Sequence, residues 1–262
     1  MLRPRVIPCL LVQEGGLVKT VGFKSPKYVG DPINAVKIFN EKECDELIVV
    51  DIDASRAGVE PDYKAIAHMA AECRMPLCYG GGVTNAEQAK RIIGLGVEKV
   101  SISASAVARP ELVSEISDAV GRQSVVVVID AKKKLLGGWD VVTHNATKSA
   151  KVDALDFAAR MADLGAGEIV MNSVDLDGRM TGYDLDLARK LRARINIPMT
   201  MLGGAGSLDH MEALFEACGV VGAAAGSLFV FKGQYRAVLI NYPNASLKEG
   251  MFSRRLEREL AG

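Results

Sequence analysis

"DELIVVDIDAS" occupies residues 45–55 and "GEIVMNSVDLD" residues 167–177. Each places an apolar run between a leading glutamate, Glu46 or Glu168, and trailing acidic residues. The glutamates are 122 residues apart (168 − 46), and two further pairs keep that spacing. "MPLCYGGGV" at 75–83 resembles "IPMTMLGGA" at 197–205, with 198 − 76 and 203 − 81 both 122. "VSISASAV" at 100–107 resembles "VGAAAGSLF" at 221–229, with 227 − 105 again 122. Three motifs returning in one order at one offset indicate a duplicated unit.

Working outward, strands are predicted at 5–10, 46–51, 76–79, 99–102, 124–130, 168–173, 198–202 and 221–224, with amphipathic helical stretches such as 85–95 and 154–164 between them. Near-continuous apolar strands belong to a parallel sheet covered on both faces. Eight such strand–helix repeats predict an α/β protein, a closed (β/α)8 barrel made of two half barrels. The barrel is expected over 1–242, with halves of about 1–122 and 123–242, followed by a C-terminal extension at 243–262. An open doubly wound sheet is the rival, but it needs a point where strand order reverses. Nothing in the pattern marks one. The first strands of the halves, "RVIPCLL" and "VVVVIDAKK", bring Leu11 and Asp130 into equivalent places at an offset of 119 (130 − 11), with extra residues in the following loop.

Composition excludes some classes of function. Lys plus Arg and Asp plus Glu both number 32, so net charge offers nothing to nucleic acid or an anionic membrane. No apolar run reaches the ~18 residues of a membrane span, and the first residues lack a signal-peptide core. The five cysteines show no CxxC spacing and read as reduced thiols of a cytoplasmic protein. The three histidines are too scattered for a zinc motif; neither metal nor other cofactor is expected.

In a barrel of this kind the reactive groups sit where strands end. "GGG" at 80–82 and "GGAG" at 203–206 follow the third and seventh strands; "SAS" at 103–105 and "AGS" at 225–227 follow the fourth and eighth, each before a helix. Glycine lets backbone N–H groups approach an oxyanion, and a helix N-terminus favours negative charge. Each half thus offers one phosphate cradle: Gly82 with Ser103 and Ala104, and Gly204 with Gly226 and Ser227. Two cradles suit a ligand with a phosphate at each end; the bland alternative is glycines that only turn the chain. Asp177 in "DLDG" is either a helix-capping turn residue or a ligand contact. Lys19, in the long loop after strand one, is either a mobile lysine over a phosphate or a solvated charge. With Asp51 and Asn172 these two make up the expected substrate contacts. Trp139 reads as part of a packed hairpin. Cys9, Cys78, Met199 and Met201 read as filling the barrel interior and its surround, and His68, His144 and His210 as structural or surface residues.

"RVIPCL", "GDPINAVKIFNE", "DELIVVDIDAS", "GGGV", "EKVSIS", "VVVVIDAKK", "GAGEIV", "DGRMTGYD", "GGAG" and "GSLF" together resemble the cyclase subunit of imidazole glycerol phosphate synthase, from about Met1 to Ala237. The resemblance implies a half-barrel duplication, two phosphate sites and a glutaminase docked on the N-terminal face, whose ammonia crosses the barrel. It also implies two acid–base aspartates, one per half, for ring closure and cleavage. Asp130 matches the second; Leu11 stands at the first, and leucine can neither donate nor accept a proton. Cys78, Ser103, Asn172 and Leu202 stand where the family has small polar residues facing substrate. The family's charged ammonia gate matches Arg5, Glu46, Lys99 and Glu168 without substitution.

A branch of the family linked to acetamidino groups on bacterial surface sugars is similar to this pattern. There a glutaminase and a cyclase-like barrel supply ammonia for amidine formation, together with an amidotransferase-like third protein. The resemblance therefore implies a phosphorylated or nucleotide-sugar substrate. Three other readings stay open: a true cyclase of histidine biosynthesis that tolerates Leu11, a non-catalytic ammonia conduit, and an isomerase of the same half-barrel family.

Overall fold

The computed structural model describes residues 3–261, with side chains as far as residue 253. The strands are β1 (Arg5–Gln13), β2 (Leu47–Asp51), β3 (Leu77–Gly80), β4 (Lys99–Ile102), β5 (Val125–Lys133), β6 (Glu168–Ser173), β7 (Met199–Leu202) and β8 (Gly222–Ala225). Each runs parallel to the next, and β8 returns to β1 through Arg5–Pro8 against Gly222–Ala225, so the sheet closes. This is the expected (β/α)8 barrel, and the closure excludes the open sheet. Outside it lie α1 (Pro32–Glu41), α2 (Tyr63–Glu72), α3 (Ala86–Gly94), α4 (Leu112–Val120), α5 (Ala154–Asp163), α6 (Leu185–Arg194), α7 (Leu208–Cys218) and α8 (Ala245–Ala261).

Local sequence explains where the helices begin. Asp31, Asp62, Asn85, Asp153, Asp184 and Ser207 each precede a helix and accept a backbone N–H of its first turn. Such a cap is worth about 1 kcal/mol. Alternate strand residues then point to opposite faces. Outward ones, Met199 and Met201 among them, join the helices in one large core. Inward ones form a small apolar column of Ile7, Cys9, Ile48, Cys78, Val126, Val170 and Ala224.

The backbone register supports the pairing of Leu11 with Asp130. Leu11 lies beside Val50 across β1 and β2, and Asp130 lies beside Asn172 across β5 and β6. Val50 and Asn172 are themselves one repeat apart (172 − 50 = 122). Both halves also carry an antiparallel hairpin above the first strand: Gly16–Val21 with Lys24–Gly30, and Trp139–Thr143 with Lys148–Asp153. Lys19 therefore sits on a strand of the first hairpin, not in the loop that the sequence suggested. Trp139 is buried in the second, its indole N–H donating to Asp184 at 3.0 Å.

The stretch set apart as an extension lies against the barrel. Met251 is buried, and Phe252 packs edge-on to Phe215 of α7 with centroids 5.8 Å apart. Among the described residues no helix is long and apolar enough to cross a membrane.

Candidate functional site

At the N-terminal end of the barrel four charges alternate around a ring. Arg5 hydrogen-bonds Glu46 and reaches Glu168 at 2.7 Å; Lys99 reaches Glu46 at 2.7 Å and Glu168 at 2.9 Å. The glutamates come from equivalent positions of the two repeats, the cations do not. Both carboxylates are buried, whereas Arg5 and Lys99 keep some access to solvent. Burial alone would push the Glu168 carboxyl up, but the charges of Arg5 and Lys99 and hydrogen bonds from Arg5 and Thr200 outweigh it and hold it down to about 2. Buried ions persist only when paired in this way. A fifth member went unread in the sequence: fully buried Thr200 donates to Glu168 at 2.6 Å. The repeat was the available signal, since Thr200 occupies the position of Cys78 (200 − 78 = 122).

At the opposite end, one cavity is lined by Leu11, Lys19, Asp51, Gly82, Ser103, Ala104, Asp130, Asn172, Asp177, Leu202, Gly204, Gly226 and Ser227. The fold thus brings together the residues read as cradles, substrate contacts and acid–base pair, but not Cys78: read with Ser103, Asn172 and Leu202 as facing substrate, it lies instead in the inward apolar column, on the side of the charged ring. Their geometry refines several readings. Asp51 is a loop-former, since its Oδ1 accepts from the N–H groups of Asp53 and Ala54, both at 3.0 Å. Asp177 is a clasp: its Oδ1 takes Lys19 Nζ at 2.7 Å, and its Oδ2 takes Thr20 Oγ1 at 2.8 Å and Phe23 N at 3.1 Å. Lys19 is accordingly a buried, paired cation, neither mobile nor solvated. The clasp pulls the first hairpin so close to Gly178 that a Cβ there would meet the Thr20 carbonyl at 2.4 Å.

The residues read as two phosphate cradles all line this cavity. Gly204, at φ +102, has its α-carbon so close to Gly182 that a Cβ would sit 2.0 Å from its carbonyl oxygen, which is a packing reason for glycine whatever binds there. In the other half, Gly82 N–H already donates to Ser55 Oγ at 3.2 Å. Short helices Ala104–Ala108 and Ser227–Val230 open at Ser103 and Gly226. The stem of Lys19 runs over Gly226, where a Cβ would meet its Cε at 2.8 Å.

Asp130 opens onto the cavity but lies deep in it. Desolvation pushes its carboxyl up to about 6, against a hydrogen bond from Asn172 Nδ2 at 2.9 Å; Asp177 adds a smaller upward push. Asn172 is 93% buried by its 7% exposure, and its Oδ1 has no hydrogen-bond partner. Leu202 lies beside Asn172 across β6 and β7, and Leu11 lines the same cavity from β1. The mouth can hold a proton on Asp130 near neutral pH and can accept a donor at Asn172. Leu11 supplies no second acid or base. Cys9, next in the column, is not a nucleophile: burial raises its thiol to about 12, although Lys19 opposes this. His144, read as structural, also lines the cavity, from the second hairpin, its Nδ1 2.9 Å from Thr143 Oγ1. The signal for it was again the repeat. The hairpin registers make Leu11–Val18 equivalent to Asp130–Val142, which sets Thr143 and His144 in the places of Lys19 and Thr20.

Comparison with known proteins adds family context. Residues 5–236 match the histidine biosynthesis protein family. A Vibrio vulnificus protein provisionally named imidazole glycerol phosphate synthase subunit hisF3 is 58% identical over 250 residues, covering 95% of this chain and 96% of the relative. A Leptospira borgpetersenii protein provisionally named subunit HisF is 53% identical, covering 96% of this chain and all of its own. The Streptomyces avermitilis imidazole glycerol phosphate synthase subunit HisF is 40% identical over 230 residues, covering 88% and 91% of the two chains.

Proposed function

The chain belongs to the histidine biosynthesis protein family as a HisF-like cyclase-family barrel, and from that membership we propose that it receives ammonia from a glutaminase and delivers it to a reaction other than imidazole formation. The observation that carries this reading is the contrast at the two ends of β1: Arg5 completes the ring at the base, while at the mouth a leucine, Leu11, stands at the repeat position of Asp130. The reaction is amidine formation on the acetamido group of a nucleotide sugar, for lipopolysaccharide O-antigen or similar surface polysaccharide. It takes place in the cytoplasm with an amidotransferase-like third protein.

In this reading the glutaminase docks around Arg5, Glu46, Lys99 and Glu168, which form the ammonia gate. Ammonia, once past the ring, crosses the apolar column as the neutral molecule, which such a column tolerates better than an ion. At the mouth the ammonia nitrogen bonds to the acetamido carbon, Asp130 takes the proton that nitrogen sheds and returns it to the former carbonyl oxygen, and the C–O bond breaks with that oxygen leaving as water. The raised pKa of Asp130 suits a group that must both accept and release protons near neutrality. Asn172 orients Asp130. Gly82, Ser103 and Ala104 hold one anionic end of the substrate; Gly204, Gly226 and Ser227 hold the other, framed by the Lys19–Asp177 clasp and by Asp51.

A second reading, a true cyclase of histidine biosynthesis, is favoured by Asp130 and by the residues of both proposed cradles lining one cavity. The test is reconstitution with the glutaminase, the third protein and glutamine labelled with ¹⁵N at its amide. Label is expected in an amidine of the nucleotide sugar. Arg5→Ala should raise glutamate released per amidine above one, and added ammonium should restore product. A ratio that stays at one makes the ring purely structural; label appearing in an imidazole product overturns the amidine reading.

A further inference from the structure

β1 begins at Arg5, but its backbone pairing with β2 begins only at Cys9 beside Ile48. Over Arg5–Pro8 the strand is laddered on its β8 side alone. The flank towards β2, which carries the ring's arginine, would be left with unpaired backbone groups, and such groups are costly when buried. A closed cycle of three hydrogen bonds takes the place of the missing ladder. Val6 N–H donates to Asp45 Oδ2 at 2.8 Å, Tyr242 O–H donates to the Val6 carbonyl at 2.8 Å, and Asp45 N–H donates to the Tyr242 oxygen at 3.0 Å. Lys248 closes the cluster from outside. Its ammonium hydrogen-bonds Asp45 Oδ1 and lies 5.0 Å from the centre of the Tyr242 ring.

The residues so bound are chain neighbours of two ring members: Val6 follows Arg5, and Asp45 precedes Glu46. We propose that Tyr242 and Lys248, from the C-terminal segment, are positioning residues that fix Arg5 against Glu46 and so set the geometry of the charged ring. Tyr242 has the required chemistry, because one phenolic oxygen both donates and accepts. It is itself seated on Phe229, with ring centroids 5.5 Å apart. The C-terminal segment thus supplies the crosslink that the barrel backbone lacks at this seam. That the ring's geometry governs ammonia entry rests on the function proposed above; that the clamp sets the geometry does not.

The test is nuclear magnetic resonance of the arginine guanidinium groups in the whole chain, with the Arg5 signals assigned by Arg5→Lys. Bidentate pairing restrains guanidinium rotation, so Arg5 should give two separate Nη signals. Tyr242→Phe should merge them, and Lys248→Met should broaden them in the same direction. Phe252→Ala is the control: it loosens the same segment from Phe215 without touching the clamp, and should lower stability while leaving the Arg5 signals resolved. Should Tyr242→Phe fail to fold, Lys248→Met against Phe252→Ala decides. Unchanged Arg5 signals in the clamp variants, or equal changes in Phe252→Ala, overturn the proposal. Signals that merge as expected, in a complex where Arg5→Ala leaves glutamine use coupled, would instead count against the gate alone.

Discussion

The two ends of the barrel treat charge in opposite ways. At the base, two cations and two carboxylates alternate, and each carboxylate is bonded by both cations. At the mouth, one carboxylate is paired with an amide whose other atom has no partner, with Leu202 beside that amide and Leu11 lining the same cavity. A closed network stabilises a fold and resists change. An open one costs stability and leaves valences for a ligand, as functional sites do. In the function proposed above, the difference corresponds to chemistry at the mouth and a passage or structural task at the base. Within the mouth, the Lys19–Asp177 clasp is a closed pair of its own, which separates the scaffold of the site from its reactive part.

The largest effect is expected at the base. Glu168→Gln leaves Arg5 and Lys99 sharing one carboxylate and should cost about 3–5 kcal/mol at pH 7. Glu168 titrates at about 2 when folded, against about 4.3 when unfolded. Its stabilisation is therefore complete above the unfolded value and is lost as pH falls towards 2, so the gap between variant and parent should narrow over that window. Urea unfolding at pH 7 and pH 3 measures it, and a gap that ignores pH would mean that the charge of Glu168 is not what matters.

The clasp should rank second. Lys19→Met removes one of three partners from Asp177 and should cost about 2 kcal/mol, with faster amide exchange confined to the hairpin Gly16–Val21 and Lys24–Gly30. Exchange that quickens across the whole barrel would contradict a local clasp.

The smallest effect has the opposite sign. Asp130 titrates near 6 when folded and near 3.9 when unfolded. A raised carboxyl favours the fold fully below its unfolded value, and that advantage disappears as pH rises through the folded one. Asp130→Asn should therefore stabilise the protein above pH ~6 by about 1 kcal/mol, discounted for the opening onto the cavity, and do nothing below pH ~4. Melting at pH 8 and pH 4 checks this; destabilisation at pH 8 would remove the contrast between the two ends.

Much of this contrast was legible in the sequence because the repeat fixes positions without coordinates. An offset shared by Glu46 and Glu168 places both carboxylates at one level of the barrel, and the glycine runs mark where strands stop. What escaped was what the repeat does not encode. The repeat could place Thr200 through Cys78, but not its bond to Glu168, which follows from strand register and not from composition. The commitment of Lys19 to Asp177 joins residues 158 positions apart; "loop lysine" was the natural reading until the hairpin placed it. The clamp of Tyr242 on Val6 spans 236 positions and involves main-chain groups, so no side-chain pattern announces it.

Among all these consequences, turnover of the bisphosphorylated ribulosyl substrate of imidazole glycerol phosphate synthase, with saturating ammonium and no glutaminase, bears most directly on the claim that Leu11 has taken the mouth away from ring closure and cleavage. The account predicts a rate at least ~10²-fold below that of an ordinary enzyme, because one of two acid–base groups is missing, and partial recovery in Leu11→Asp. A rate of ~1 s⁻¹ or more in the unaltered chain would contradict it.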